Sequence, residues 1–446
     1  MRGDFSARRA LERLDPHARA AWQLEKLNAL LQQILPHNRF YAAKLAGYRI
    51  PLESLDALSQ LPFTTKEELV VGTQLARHES GAPPQGAMEL DADAGLARNL
   101  TYPLERYVRY HRTSGTRGRA LAILDTADDW RWWIDGWQFV LDAAEVTAAD
   151  RAVLAFSFGP FIGFWSAFDA LTHRGALAIP TGGMSTSARL DVIRTMRATA
   201  VFCTPSYALR MAEVAAERGI DLRALAVRTL VVAGEPGGSI PATRRRIEAA
   251  WGARVVDHAG ASEAGPWGYA ARNDLGLHVN ESQWIAEFLE PGTAKRVPEG
   301  EIAELVLTSL GRAGCPVIRY RTGDLVRRQA RPDLENRFTY LEGGVISRAD
   351  DMLIIRGVNI FPSSIESILH EMPQVVEYRL LAQRIGALDT LVLEVEDRRN
   401  NPRLIAEELH TRLGLSVDVR EAPLGSLPRS EGKLRRFQDE RPTRLS

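Results

Sequence analysis

Cysteine is almost absent. The 446-residue chain holds two, Cys203 and Cys315, too few for a disulfide scaffold or a Cys-rich zinc module. Long apolar runs are missing too: nothing reaches the roughly 18 residues of a membrane-spanning helix, so no membrane association is expected. Neither sign of charge is in excess, with 56 Lys and Arg against 56 Asp and Glu. That balance excludes the basic footprint of a dedicated nucleic-acid binder and a polybasic membrane-surface patch. Internal repeats and low-complexity segments are also lacking. The opening residues, MRGDFSARRALERLD, have no apolar stretch of a secretory leader, and the expected location is cytoplasmic. Lysine is scarce: Lys26, Lys44, Lys66, Lys295 and Lys433 are the only five, so a Lys in a suggestive place gains weight.

What is present is ordinary globular material, 45% hydrophobic and 25% charged, long enough for two or three domains at roughly 150 residues each. Apolar residues at helical spacing (Leu11, Leu14, Trp22, Leu27, Leu30, Leu31, Ile34) predict helices over residues 5–46. Pro62–Leu69 reads as a helix start capped by Thr64 or Thr65, and the Gly-, Pro- and Asp-rich residues 80–98 as a loop. From about 125, short apolar runs at Ala152–Phe156, Ala176–Ile179, Ala200–Cys203, Thr229–Ala233 and Arg254–Asp257 alternate with helical segments (Leu190–Ala198, Tyr207–Arg218, Pro241–Trp251). That rhythm predicts βαβ units and a parallel sheet, with ligands at the carboxyl ends of the strands, in the loops Ser157–Gly163, Gly234–Gly238 and His258–Gly265. Shorter strands follow at Trp284–Leu289, Ile302–Leu307 and Arg337–Leu341. Beyond 350 the pattern is a small α+β unit: helix Ser364–His370, strands Val375–Leu381 and Thr390–Glu396, helix Arg403–Leu413 and strand Val417–Glu421. The expected fold class is therefore α/β, a large domain of parallel-rich sheets flanked by helices (1–348) with a small mobile α+β domain (349–446).

Five local patterns carry chemistry. Arg112-Thr-Ser-Gly-Thr-Arg-Gly-Arg119 packs glycines and hydroxyls into a loop able to cradle phosphates; a plain Ser/Gly turn reads equally well, and the Walker A spacing is absent. Ala259-Gly-Ala-Ser-Glu-Ala-Gly265 puts a carboxylate on a Gly-bounded loop after a strand, where it can reach a Mg²⁺ on nucleotide phosphates or be merely solvated. Arg319-Tyr-Arg-Thr-Gly-Asp-Leu325 offers Asp324 to a ribose diol or to a neighbouring Arg. Ser347–Ile360 is a charged run leading into an apolar strand where composition shifts. Pro428–Arg436 presents Gly432-Lys433 on a basic loop, or on a fraying tail.

In this order and over this span, the five patterns resemble the adenylate-forming superfamily, and within it the phenylacetate–CoA ligase family. The pointers are Leu61-Pro-Phe-Thr-Thr-Lys-Glu-Glu68, Cys203-Thr-Pro-Ser-Tyr207, Gly234-Glu-Pro-Gly-Gly238 and Arg348–Pro362. The resemblance implies an AMP-forming acid–thiol ligase using ATP, Mg²⁺ and coenzyme A. A carboxylate forms acyl-AMP with release of pyrophosphate, the small domain rotates, and a thiol displaces AMP. Carried onto matching positions, Thr113, Ser114, Gly115, Thr116, Gly118 and Arg119 hold phosphates, and Glu263 with Thr116 serves Mg²⁺. Gly234, Glu235 and Pro236 line the adenine, with Asp257, His258 and Ala259 opposite and Ser262 nearby. Asp324 and Arg348 lie at the ribose, Asp350 is the pivot, Gly357 approaches the pantetheine channel, and Lys433 bridges carboxylate and α-phosphate.

Two positions depart from the family pattern. Arg119 stands where a Lys is usual, and Ala259 where an aromatic residue, usually Tyr, would stack on adenine; His258 is the replacement expected. With no Cys-x-x-Cys, bound zinc is not expected. For the acid, Phe158, Gly159, Phe161, Tyr207 and Gly260 are the pocket candidates, and the aromatic run Phe156–Phe168 favours an aryl or arylacetic monocarboxylate. Trp130, Trp133 and Trp137 read as one packed helix face, with a subunit interface, hence a homodimer, as its candidate setting. Two alternatives stay open: transfer of the acyl group to a carrier-protein thiol or an amine, and a non-catalytic nucleotide-binding protein of the same fold.

Overall fold

A computed structural model describes residues 4–70, 96–113, 121–157, 159–271, 274–330, 335–349, 353–355, 358–360, 362–385, 388–413, 417–429 and 436–441. The chain opens with helices α1 (Phe5–Glu12), α2 (Pro16–Ile34) and α3 (Arg39–Lys44). Each begins at an Asp or Asn whose side chain accepts a first-turn N–H, which satisfies donors that have no partner inside the helix. The buried face of α2 (Leu27, Leu30, Leu31, Ile34) packs with Tyr41, Leu58 and Ile318. The short α4 (Lys66–Leu69) is capped by Thr65 in a full capping box with Glu68. Thr64 is used differently, bridging in parallel to Tyr320.

The hairpin β1 (Tyr107–Arg112)/β2 (Ala122–Thr126) leads into α5 (Ala127–Ala143). The alternation then runs β3 (Arg151–Leu154), α6 (Ile162–Arg174), β4 (Leu177–Pro180), α7 (Thr186–Thr195), β5 (Ala200–Cys203), α8 (Pro205–Glu217), β6 (Thr229–Ala233), α9 (Pro241–Trp251) and β7 (Arg254–Ala261). Antiparallel strands follow: β8 (Gly265–Tyr269), β9 (Gly276–Val279), β10 (Trp284–Leu289), β11 (Ile302–Ser309), β12 (Tyr320–Gln329) and β13 (Tyr340–Arg348). All but the hairpin join one sheet, ordered β10-β11-β12-β13-β9-β8-β7-β6-β5-β3-β4. It is parallel from β4 through β7 and antiparallel beyond. The expected parallel unit is thus half of a mixed α/β sheet. The parallel strands read as continuous apolar runs because helices cover both faces.

Beyond β13 lie β14 (Leu353–Ile355), β15 (Val358–Ile360), α10 (Pro362–His370), β16 (Val375–Ile385), β17 (Leu388–Asp397), α11 (Pro402–Leu413), β18 (Asp418–Glu421) and β19 (Phe437–Asp439). Four of these strands form a sheet ordered β18-β17-β16-β19, with its own core of Ile365, Leu369, Leu380, Leu393, Ile405 and Leu409. The expected elements recur here, β16 and β17 longer than expected and β18 one residue shorter; the additions are β14, β15 and β19.

Trp130, Trp133 and Trp137 do share one buried face of α5. The expectation of a subunit interface there is corrected: Trp130 stacks on His111, and Trp137 meets Phe202 and His258, all inside this chain's own core. The expected loop 80–98 lies mainly outside the described residues. Among those described, no helix is long and apolar enough to cross a membrane.

Candidate active site

The turn after β6, Gly234–Gly238, lies where open α/β sheets hold their ligands, at the carboxyl end of a parallel strand. Its shape is dictated by close packing. Gly237 has φ +152°, and a Cβ there would sit 2.6 Å from Pro205 at the start of α8. Glu235 Oε1 accepts the Ser206 N–H at 2.7 Å, so its carboxylate completes the first turn of α8, where negative charge is favoured. Pro236 lies between these two anchors. On the neighbouring β7, Asp257 pairs in register with Val232. Its carboxyl accepts Ser239 Oγ at 2.5 Å and the His258 N–H at 3.0 Å. Burial pushes its pKa up to about 6 against those two bonds.

His258 is buried. Its Nδ1 lies 2.8 Å from Gly268 O, and its ring is 4.4 Å from that of Trp137. Burial holds its pKa near 4, so the imidazole is neutral at ordinary pH, packed at a tilt against Trp137. β7 continues through Ala259 and Gly260 to Ala261, paired with β8. The expected loop His258–Gly265 is therefore corrected: it shrinks to the turn 262–264, because Ala259 and Ala261 stay paired with β8 and the register shifts at Gly260 between them. Gly265, which closes that turn, has φ +116°, and a Cβ there would meet Trp284 at 2.7 Å. Trp284 Nε1 in turn donates to Ala264 O at 3.1 Å.

From this turn the buried Glu263 carboxylate reaches Lys66 Nζ at 2.9 Å. Lys66, one of the five lysines, sits in the first turn of α4, within a family motif that by itself gives it no role. The only signal in the sequence is its rarity, since the partner is remote along the chain. Tyr320 lies close by, buried, its phenol pKa raised by burial and then by Glu263, with Arg348 and Asp324 also acting on it. Asp324 and Arg348 face each other across β12 and β13 and share an ion pair at 2.7 Å.

Thr113 closes the base of the β1/β2 hairpin: its N–H donates to Leu121 O, and its Oγ1 accepts from Leu121 N at 2.9 Å. One residue earlier, Arg112 N–H donates to Pro160 O at 2.7 Å, tying the hairpin to the aromatic loop. Gly159 O accepts Trp165 Nε1 at 3.0 Å, and Phe161 at the start of α6 is 46% exposed. Tyr207 is not on an open wall: it is 1% exposed, its hydroxyl 3.0 Å from Thr186 Oγ1 and its ring under Arg189. Ser262 opens the turn 262–264, and Gly260 lies just before it in β7. Ser114, Gly115, Thr116, Gly118, Arg119, Phe158, Asp350, Gly357 and Lys433 lie outside the described residues.

A mixed sheet with glycine turns at its strand ends, followed by a small α+β unit, defines the class of adenylate-forming ligases. A family model described as AMP-binding enzyme C-terminal domain matches residues 357–441. The chain is similar to the crystal structure of 2-hydroxyisobutyryl-CoA ligase in the postadenylation state with 2-HIB-AMP: TM-score 0.85, 27% identity, covering 96% of this chain and 90% of that one. Against the same ligase with 2-HIB-AMP and CoA in the thioesterification state the TM-score is 0.69, at 28% identity and 97% and 91% coverage. The phenylacetate-coenzyme A ligase of Pseudomonas putida is 30% identical over 437 residues, 94% of this chain and 93% of the relative. The chain belongs to the phenylacetate–CoA ligase family. It is an AMP-forming acid–CoA ligase, using ATP to make an acyl adenylate and coenzyme A to take the acyl group.

Proposed function

We propose that the acid is aromatic, an aryl or arylacetic monocarboxylate, activated with Mg²⁺–ATP. The observation that carries this reading is the main-chain link between Arg112 and Pro160, which ties the base of the β1/β2 hairpin to the segment that bears the exposed Phe161. An apolar, aromatic surface next to the reacting phosphate is what an aryl carboxylate needs. The names of the curated relatives point the same way.

In the first step a carboxylate oxygen attacks the α-phosphorus and pyrophosphate leaves. In the second, the thiol sulfur of coenzyme A attacks the acyl carbonyl and AMP leaves. Ser114–Arg119 and Thr113 would hold the β- and γ-phosphates. Glu263, with Thr116, would serve a Mg²⁺ carried in with the nucleotide phosphates. The metal offsets phosphate charge. Gly234, Glu235 and Pro236 would line the adenine against Asp257, and Asp324 with Arg348 would meet the ribose. Gly357 would approach the pantetheine after rotation about Asp350, at the division between 1–348 and 349–446. Lys433, a compact point charge, would contact both carboxylate and α-phosphate.

The test is carboxylate-dependent ATP–pyrophosphate exchange across benzoates, arylacetates, cinnamates, short fatty acids and 2-hydroxyisobutyrate. Exchange is expected with an aromatic acid; exchange only with 2-hydroxyisobutyrate or a fatty acid would overturn the aromatic assignment. AMP release that ran as fast without coenzyme A would point to a carrier thiol or an amine instead. Lys433→Ala is expected to lose exchange by at least a hundredfold while still converting supplied acyl-AMP and coenzyme A to thioester.

A further inference from the structure

Arg312 is fully buried, in the segment between β11 and β12 that none of the roles above uses. A buried guanidinium is costly unless its fork of donors is satisfied, so its partners show what it is for. Nε donates to Asp125 Oδ1 at 2.7 Å; Nη2 lies at ion-pair distance, 2.7 Å, from the same oxygen but makes no hydrogen bond. Nη1 donates to two main-chain carbonyls, Ser262 O at 2.8 Å and Glu263 O at 2.9 Å. The ring of Trp133 closes the site, 5.1 Å from the guanidinium carbon. Burial, the largest single influence, lowers the Arg312 pKa, but Asp125, Cys315 and Asp129 together more than offset it and the net shift is upward.

Both partners matter to the reaction. Asp125 is fully buried on β2, the strand leaving the hairpin whose connection is the phosphate-loop candidate; its other oxygen is 3.7 Å from His111 Nδ1 on β1. Ser262 and Glu263 form the turn whose carboxylate is the candidate Mg²⁺ ligand. The segment bearing Arg312 has little room to shift. A Cβ at Gly311 would lie 2.6 Å from Trp132, and one at Gly314 2.1 Å from Asp129.

We infer that Arg312 is a positioning residue for magnesium-dependent nucleotide binding: its fork fixes the Glu263 turn to the β1/β2 hairpin, so that the carboxylate keeps one place relative to the hairpin strands. A core filler could be apolar, and a single ammonium cannot supply this divergent set of bonds.

The inference rests on Glu263 serving the metal, and the test separates the two. ATP affinity of the full chain is measured by titration calorimetry with Mg²⁺ and with EDTA, in parent, Arg312→Lys, Glu263→Gln and the paired variant Arg312→Gln/Asp125→Asn, which removes both buried charges together. Thermal melts confirm folding. The Mg²⁺-dependent gain in ATP affinity is expected to shrink at least fivefold in the Arg312 variants, with metal-free affinity changed less than twofold. A residue that only supported the fold would lower the melting temperature and leave that gain intact. If Glu263→Gln loses the gain and a folded Arg312 variant keeps it, the positioning role is wrong. If Glu263→Gln keeps it too, the metal reading falls, and this inference with it.

Discussion

Asp257 and His258 are chain neighbours with opposite responses to burial. The Asp257 pKa rises to about 6, so the native state holds a proton there that the unfolded chain, near the ordinary value of about 3.9, has lost. Its contribution to stability falls as pH rises between those values. The His258 pKa drops to about 4, so the unfolded chain binds a proton from about pH 6.5 downward that the native state refuses. Its contribution rises with pH over nearly the same window. The two slopes cancel. In Asp257→Asn only the histidine slope survives, and stability relative to the parent should rise by about 3 kcal/mol between pH 4 and 6, because one proton of difference between the two states changes stability by roughly 1.4 kcal/mol for every pH unit crossed. Denaturant midpoints across that range measure it; parallel pH profiles for the two proteins would show that Asp257 is not protonated in the fold. At this scale the sequence singled out Asp257, Glu263 and Asp324 as candidates, and the structure places Asp257 within β7, Glu263 in the turn 262–264 and Asp324 within β12. The sequence disclosed contacts poorly: Lys66 with Glu263, and Arg312 with the same turn, join positions far apart in the chain.

Among the elements, the parallel strands were legible because their apolar runs are bounded by helices. β5 and β6 fall on the residues expected, as does β10 in the antiparallel half. The run through Ala259-Gly260-Ala261 was not, since small residues carry no strand preference and only pairing with β8 holds them extended. β19, three residues including Gln438 and Asp439, is a strand only because β16 offers it an edge. The same dependence on neighbours makes the Gly234–Gly238 turn fragile. In Gly237→Ala the added methyl would strike Pro205 in a backbone conformation that L residues avoid. A loss of roughly 1–3 kcal/mol of stability is expected, together with an ATP KM raised several-fold, because the turn must leave the start of α8. Thermal melts and exchange kinetics read the two effects; an unchanged KM in a destabilised protein would remove the turn from the adenine site.

The whole molecule matches one solved state of a relative better than another: TM-score 0.85 on the postadenylation structure against 0.69 on the thioesterification structure. The arrangement of its two cores therefore resembles the first. What holds it is visible where α10 meets α9. Thr243 Oγ1 lies 2.6 Å from His370 Nδ1. Burial, reinforced by Arg246 and Arg436, keeps the His370 pKa well below its usual value, so the imidazole is neutral and shares one hydrogen bond with the threonine hydroxyl. Behind it, Arg436 pairs with Glu377 at 2.6 Å and reaches Glu366 at 3.4 Å, which keeps α10 seated on its own sheet. A single neutral hydrogen bond contributes about 1 kcal/mol. If it is made in this arrangement and broken on rotation, Thr243→Val should shift the equilibrium between arrangements about fivefold. Exchange of pyrophosphate should then slow severalfold, while thioester formation from supplied acyl-AMP holds or quickens. An equal decline in both half-reactions would mean that Thr243 supports the fold and not the choice between states.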